Sequence, residues 1–373
     1  MYLRKVITKK DIRLFLDLPD KTYKDNSNYI KPLDRDIEEV FDLNKNIHFQ
    51  NGVCERWILM NKNNEVIGRI ASFIINTETE KSKTGGIGFF ECVDSQKAAN
   101  YMFDYCKEWL HNQGIKIIDG PINFGNRMQW WGLLIHGYQT PLYRMNYNPP
   151  YYQKLFESYG FEIYFLQNCY AIDLKAKLPQ KFYTINDLLT TNPSYELRQL
   201  SKNNITEFAK DFATIYNKAW QNNQHEKILN IKQITRTFKA MRPVIDEKTV
   251  WFVYHNNQPI GCWLNLPNLN DYFGKVSSRF GIFSMLKFLM LQKFCKTKKL
   301  VGLVFGIIPE FQNKGIDAYL IVKALEMINL ETTYDTYEVQ WIGDFNPKMS
   351  KIIENLSGNL TRTLSTYRYI IKV

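Results

Sequence analysis

Two tandem copies of one α/β domain are predicted by this sequence, on three observations. At 373 residues the chain exceeds one ordinary core, since a domain takes roughly 150 residues. It also repeats itself. ERWILMNKNNEVIGRIASFI (55–74) sets against KTVWFVYHNNQPIGCWLNLP (248–267) without a gap, bringing Asn63, Asn64 and Gly68 onto Asn256, Asn257 and Gly261, 193 residues on. At the same offset TKKDIRLFLDLPDKTY (8–23) meets SKNNITEFAKDFATIY (201–216). Further on, YNPPYYQKLFESYGF meets FNPKMSKIIENLSGN at an offset of 198, with Asn148, Pro149 and Gly160 on Asn346, Pro347 and Gly358. Third, apolar runs of strand and helix character follow the same order in both copies.

That order is justified element by element. A first strand (4–7; 196–200) leads into a helix behind a Thr8 or Ser201 cap, whose hydroxyl can take up a free backbone N–H. A β-hairpin follows, its turns NKNNE and HNNQ set between apolar runs. Then come a strand, a helix (AANYMFDYCKEWLHNQG; AYLIVKALEMI) and another strand (IKIIDG; YEVQWIG). A helix opened by Asn-Pro comes next, where proline at the first turn forfeits no hydrogen bond. A closing strand (NCYAIDL; YRYIIKV) ends each copy. The boundaries are 1–176 and 195–373, with 177–194 as linker.

Composition narrows the class. With 45% hydrophobic and 15% aromatic residues the chain is globular and ordered almost end to end. Its net charge of +11 favours an anionic partner, but no run of five like charges and no basic helix with stacking motif points to nucleic acid. The six cysteines lack CxxC spacing and lie mostly in apolar runs. They are expected to be reduced core thiols of a cytoplasmic protein, with no metal site. No signal segment opens the chain. The most apolar window, FGIFSMLKFLMLQKF (280–294), is shorter than the ~20 residues that span a bilayer and carries Lys287 and Lys293; it predicts a core-facing helix, with contact at a membrane surface as the alternative.

Strand, helix, hairpin, strand, loop-plus-helix, strand, helix, strand resembles the GNAT superfamily of acyl-CoA-dependent N-acyltransferases in both halves, and most closely its two-copy bacterial members. The landmarks are GRIASFI, GFFE, DGPINF, WGLLIHGY and YNPPYYQKLFESYGF in the first half, and IIPEFQNKGID, YEVQWIGDFNPKM and YRYII in the second. The resemblance implies for each copy a mixed, mostly antiparallel twisted sheet flanked by helices. It also implies acetyl-CoA or another acyl-CoA as donor and a small-molecule or peptide amine as acceptor. Nothing in the sequence fixes the oligomeric state.

GNAT enzymes carry [Gln/Arg]-x-x-Gly-x-[Gly/Ala], whose amides at a helix N-terminus hold the CoA pyrophosphate, where unpaired N–H groups and the helix dipole converge. By that resemblance Gln312, Asn313, Lys314, Gly315 and Ile316 match, Asp317 stands where Gly or Ala is usual, and Ala318 follows. Phe305, Gly306, Ile307 and Ile308 would pair with the pantetheine arm, and Asn346 would open the last helix beside it. The first copy's loop, ECVDSQKAANYM, has no glycine, so the donor is assigned to the second copy and the first is expected to support the fold or shape the acceptor pocket.

Acyl transfer to an amine needs a base, a polarised carbonyl and an acid for the leaving thiolate. Glu310, Glu338 and Asp344 are the candidate bases. The tyrosine that many GNAT enzymes use as acid, counted from Asn346, falls on Ile353 instead; Tyr319, Tyr334 and Tyr337 lie near in sequence. Trp130, Trp131, His136, Tyr147, Tyr151 and Tyr152 form an aromatic cluster suited to an acceptor pocket or to packing between the copies. Two further readings stay open: a peptidyl or aminoacyl transferase of paired-GNAT type, and a non-catalytic binding protein.

Overall fold

The computed structural model describes residues 1–75, 84–220 and 229–372. The first half runs β1 (Tyr2–Lys5), α1 (Lys9–Thr22), α2 (Asp34–Phe41), β2 (Gly52–Met60), β3 (Val66–Ile75), β4 (Thr84–Cys92), α3 (Gln96–His111), β5 (Ile117–Gly120), β6 (Leu133–His136), α4 (Tyr151–Tyr159) and β7 (Glu162–Asp173). After α5 (Gln180–Thr190) the order recurs as β8 (Tyr195–Gln199), α6 (Ile205–Ala219), α7 (Ile231–Met241), β9 (Trp251–His255) and β10 (Gln258–Pro267). An insertion, α8 (Asn270–Phe273) and α9 (Ile282–Phe294), precedes β11 (Lys299–Ile307), α10 (Ile316–Glu331), β12 (Thr336–Gly343), α11 (Pro347–Asn355) and β13 (Asn359–Ile370).

Local chemistry sets these limits. The Thr8 hydroxyl accepts the Asp11 N–H and the Asp11 carboxylate accepts the Thr8 N–H, a reciprocal cap that starts α1. In the second hairpin Asn256 and Asn257 both have positive φ (48° and 64°), the two-residue turn whose twist matches that of its strands. Asn346 caps α11 by accepting the Met349 N–H at 3.3 Å.

Among the described residues thirteen strands form one mixed sheet, in the order β1-β2-β3-β4-β5-β13-β7-β12-β11-β10-β9-β8, with β6 also on β13. The repeat predicts that each closing strand stays in its own copy, and the structure differs. The second copy's β13 lies between β5 and β7, while the first copy's β7 pairs with β12. Tyr367 of β13 is accordingly part of the first copy's core with Trp57, Phe103 and Phe156. A buried ion pair, Arg362 to Glu338 at 3.0 Å, ties β13 to β12, and the same guanidinium donates to the Thr140 carbonyl at 2.8 Å.

The second core gathers Phe208, Phe252, Cys262 and Ile316. The linker is more than a tether, because α5 buries Phe182 and Leu189, and Phe182 packs with Ala318 and Leu320 of α10. Cys92, Cys106, Cys169 and Cys262 are buried free thiols, whereas Cys295 is exposed. No group of metal-binding side chains occurs among the described residues.

Candidate active site

Strands β11 and β12 run parallel and pair only from Lys299–Gly302 on to Thr336–Val339. Beyond that point β11 bulges by one residue at Leu303 and pairs with β10 alone, Gly306 opposite Cys262 and Ile307 opposite Gly261. The two strands therefore fork. In the fork, between α10 and α11, sits a largely apolar cavity lined by Trp263, Phe305, Ile321, Leu325, Tyr337, Val339, Met349, Ile353 and Leu356, and roofed by Ala176 and residues 177–179 of the linker. Ile353, where the usual acid is absent, contributes an apolar wall.

At the branch point stands Tyr337. Its hydroxyl accepts the Trp263 indole N–H at 2.8 Å and lies against Gly302, where any Cβ would collide with it. Burial holds this phenol well above its ordinary pKa, so it is protonated at neutral pH. Tyr334, by contrast, donates to Asp246 at 3.0 Å. Tyr319 is buried in the second core.

The loop ahead of α10 has the form of an anion cradle. Asn313 and Gly315 take positive φ (58° and 80°), α10 begins at Ile316, and Gln312, Asn313 and Lys314 are exposed. The Gln312 side-chain amide donates back to the Ile307 carbonyl at 2.9 Å and so braces the loop on β11. Ile308 is buried and its N–H donates to the Ile260 carbonyl. Gly315 has a second reason to be glycine: a Cβ there would strike Ile185 of α5. Asp317 is half-buried and Ala318 buried in the first turn of α10.

The three carboxylates are not brought together. Glu310 is exposed on the turn before the loop. Glu338 is buried against Arg362; Tyr337 and Val339 on either side of it face the cavity, so strand alternation turns Glu338 away. Asp344 is exposed and accepts the Leu166 N–H at 3.1 Å, which ties the end of β12 to the middle of β7. None of the three lines the cavity.

The first copy has the same fork, filled differently. β4 pairs with β5 only from Thr84 to Gly86, and the Ile122 N–H then donates across to the Ile87 carbonyl at 2.7 Å. Two phenols take up the strand end: Tyr152 accepts the Cys92 N–H at 2.8 Å and Tyr151 donates to the Cys92 carbonyl at 2.7 Å. Tyr152 also donates to Glu91 at 2.7 Å, Tyr23 donates to Glu91 at 2.9 Å, and Arg69 lies 3.3 Å from the same carboxylate. Burial pushes Glu91 above its ordinary carboxyl range, against the pull of Arg69 and the two phenols. A cavity adjoins this cluster, lined by Tyr29, Trp130, Tyr147 and Asn148. His136, on β6, is exposed and outside it. Glu91 is not among the residues expected from sequence, although two signals mark it: GFFE ends on it, and at the repeat offset of 198 Tyr151 and Tyr152 become Met349 and Ser350.

No protein-family model matches the chain. It is 24% identical over 370 residues to a protein named bacterial ceramide synthase of Caulobacter vibrioides, covering 97% of this chain and 95% of that one. It is equally 24% identical over 371 residues to Protein YghO of Escherichia coli, covering 95% and 91%. Among solved structures, a tandem GNAT protein from the clavulanic acid biosynthesis pathway superposes with a TM-score of 0.57 at 10% identity, over 99% of this chain and 98% of that one. The fold is thus the GNAT fold in two tandem copies.

Proposed function

We propose that the protein is an N-acyltransferase that takes a long-chain acyl-CoA in the fork of the second copy and passes the acyl group to a primary amine on a lipid-like acceptor. The observation that carries this is the cavity between α10 and α11, whose walls are mostly apolar side chains, among them Ile321 and Leu325 of the helix that the loop Gln312–Gly315 opens. An acetyl group would leave most of that surface uncovered, whereas a hydrocarbon chain gains roughly 0.8 kcal/mol per buried CH₂. The name of the Caulobacter relative supports the same class, since a ceramide is a long-chain amine bearing a fatty acyl amide.

The chain's own groups have the following roles. The amides of Asn313 to Ala318 hold the pyrophosphate, and Lys314 adds charge. The free edge of Leu303–Ile307 offers backbone N–H and C=O groups to the amide-bearing arm and polarises the reacting carbonyl. The acyl-CoA supplies a thioester, whose cleavage by the amine releases a thiolate. Tyr337, protonated at the branch point, donates a hydrogen bond to the departing sulfur, and the thiolate takes up from water the proton that the amine gives up. No carboxylate from the predicted set reaches the fork, so the acceptor enters as the free amine with water taking its proton.

The test is amide formation from palmitoyl-CoA and a long-chain 2-amino-1,3-diol, followed by mass spectrometry and by release of the CoA thiol, with acetyl-CoA as comparator. A palmitoyl amide, with acetyl-CoA a poorer donor, is the expected result. Equal use of acetyl-CoA would remove the long-chain assignment, and thiol release from neither donor by folded protein would remove the acyltransferase reading. Because Gly315 packs against Ile185, the loop is better probed by Lys314→Glu than at Gly315, where a side chain would also displace α5.

A further inference from the structure

The apolar window 280–294 is a helix, but it does not face a core. In α9, IFSMLKFLMLQKF, Phe288 is the one buried residue; it stacks on Phe273 with ring centroids 4.9 Å apart. Leu291 packs beside it and the Gln292 amide donates to the Pro243 carbonyl at 3.4 Å, but the outer faces stand clear of the protein: Phe283 is 84% and Phe294 71% exposed, and Ile282, Leu286, Leu289 and Met290 are exposed with them. A helix apolar on nearly every side is at rest only when apolar matter surrounds it. The first copy passes from β3 to β4 through residues 76–83, so the second copy carries the much longer insertion between the equivalent strands.

Charge around the helix selects what covers it. Lys275, Arg279, Lys287, Lys293 and Lys296 are all exposed, and the sequence has no Asp or Glu between Asp271 and Glu310. A second copy of this chain would set these cations against their equals. An anionic lipid surface would pair with them while its acyl region received the apolar side chains. At 13 residues α9 is about 20 Å long, short of the ~30 Å hydrocarbon core of a bilayer, so it lies in the interface with its lysines reaching up to the headgroups.

We infer that α9 is a membrane-docking helix that binds the protein reversibly to anionic bilayers. The inference rests on α9 and its flanks alone, and is independent of the acyltransferase reading. Its experiment is co-sedimentation of the full chain with phosphatidylcholine vesicles, with and without phosphatidylglycerol, at low and high salt. Capture by the anionic vesicles should exceed capture by the neutral ones at least about tenfold and weaken with salt. Phe283→Asp with Met290→Asp should abolish it, and Lys287→Glu with Lys293→Glu should remove the preference for anionic lipid. Leu330→Asp, at an exposed apolar position of α10, should bind like the parent. All these positions are exposed, and thermal melts establish that the variants fold. Unchanged capture by the Phe283/Met290 variant, no capture of the parent by anionic vesicles, or dimers that need α9 without vesicle binding would each overturn the inference.

Discussion

The two copies use one backbone device, a pair of parallel strands that forks after three or four residues, and fill it with opposite chemistry. In the first copy the fork carries hydroxyls: Tyr151 and Tyr152 occupy both backbone groups of Cys92, and Glu91 and Arg69 sit behind them. In the second copy Met349 and Ser350 stand at the corresponding places, Ser350 turns back to the Asn346 carbonyl, and an apolar cavity remains. Duplication therefore preserved the strand geometry while two side chains per copy set whether the space beside it is polar or apolar.

The largest effect that would sharpen this contrast is on stability. Arg69→Met leaves the Glu91 carboxylate buried without its cation, and should cost about 3–5 kcal/mol in urea denaturation. Palmitoyl-CoA binding by the folded fraction should be unaffected. Next, Tyr337→Phe should lower the rate of product formation about 100-fold, a barrier increase of about 2.7 kcal/mol, with little change in KM. Tyr152→Phe should leave that rate near the parent's. Reversal of the two outcomes would move the reaction to the first copy.

Tyr152→Phe itself should destabilise by about 1–3 kcal/mol in the same denaturation assay, since the Cys92 N–H loses its acceptor and Glu91 a donor. The joint change Met349→Tyr and Ser350→Tyr transplants the two phenols to the second fork, and should weaken acyl-CoA binding about tenfold, or about 1.4 kcal/mol, in calorimetry. The smallest effect concerns pH. The fold favours the protonated form of Glu91, so its contribution to stability is full below the ordinary glutamate range and is lost as pH rises through the raised folded value. Glu91→Gln should accordingly show a shallower fall in melting temperature between about pH 4 and pH 7.

The repeat made most of the fold legible, because apolar periodicity, Asn-Asn turns and Asn-Pro helix starts are local and occur twice. The strand exchange was not, since the closing strands of the two copies are alike in length and pattern, and partner choice between them depends on contacts as remote as Arg362 with Glu338 and Thr140. The same distance hid the site. Glu338 sits one residue from Tyr337 in sequence, yet strand alternation sends one into an ion pair and the other to the branch point. For α9 the composition was visible, but apolarity alone could not tell a buried helix from one left uncovered.

The placement of β13 has a consequence during synthesis on the ribosome. The strand that fits between β5 and β7 is made about 240 residues after β5, so the first half emerges with its central hydrogen-bonding groups unpaired. Folding of the two halves is thereby tied to one late event. A nascent chain severed anywhere in the second half would leave both copies incomplete, and would expose the gap in the first as an edge open to aggregation.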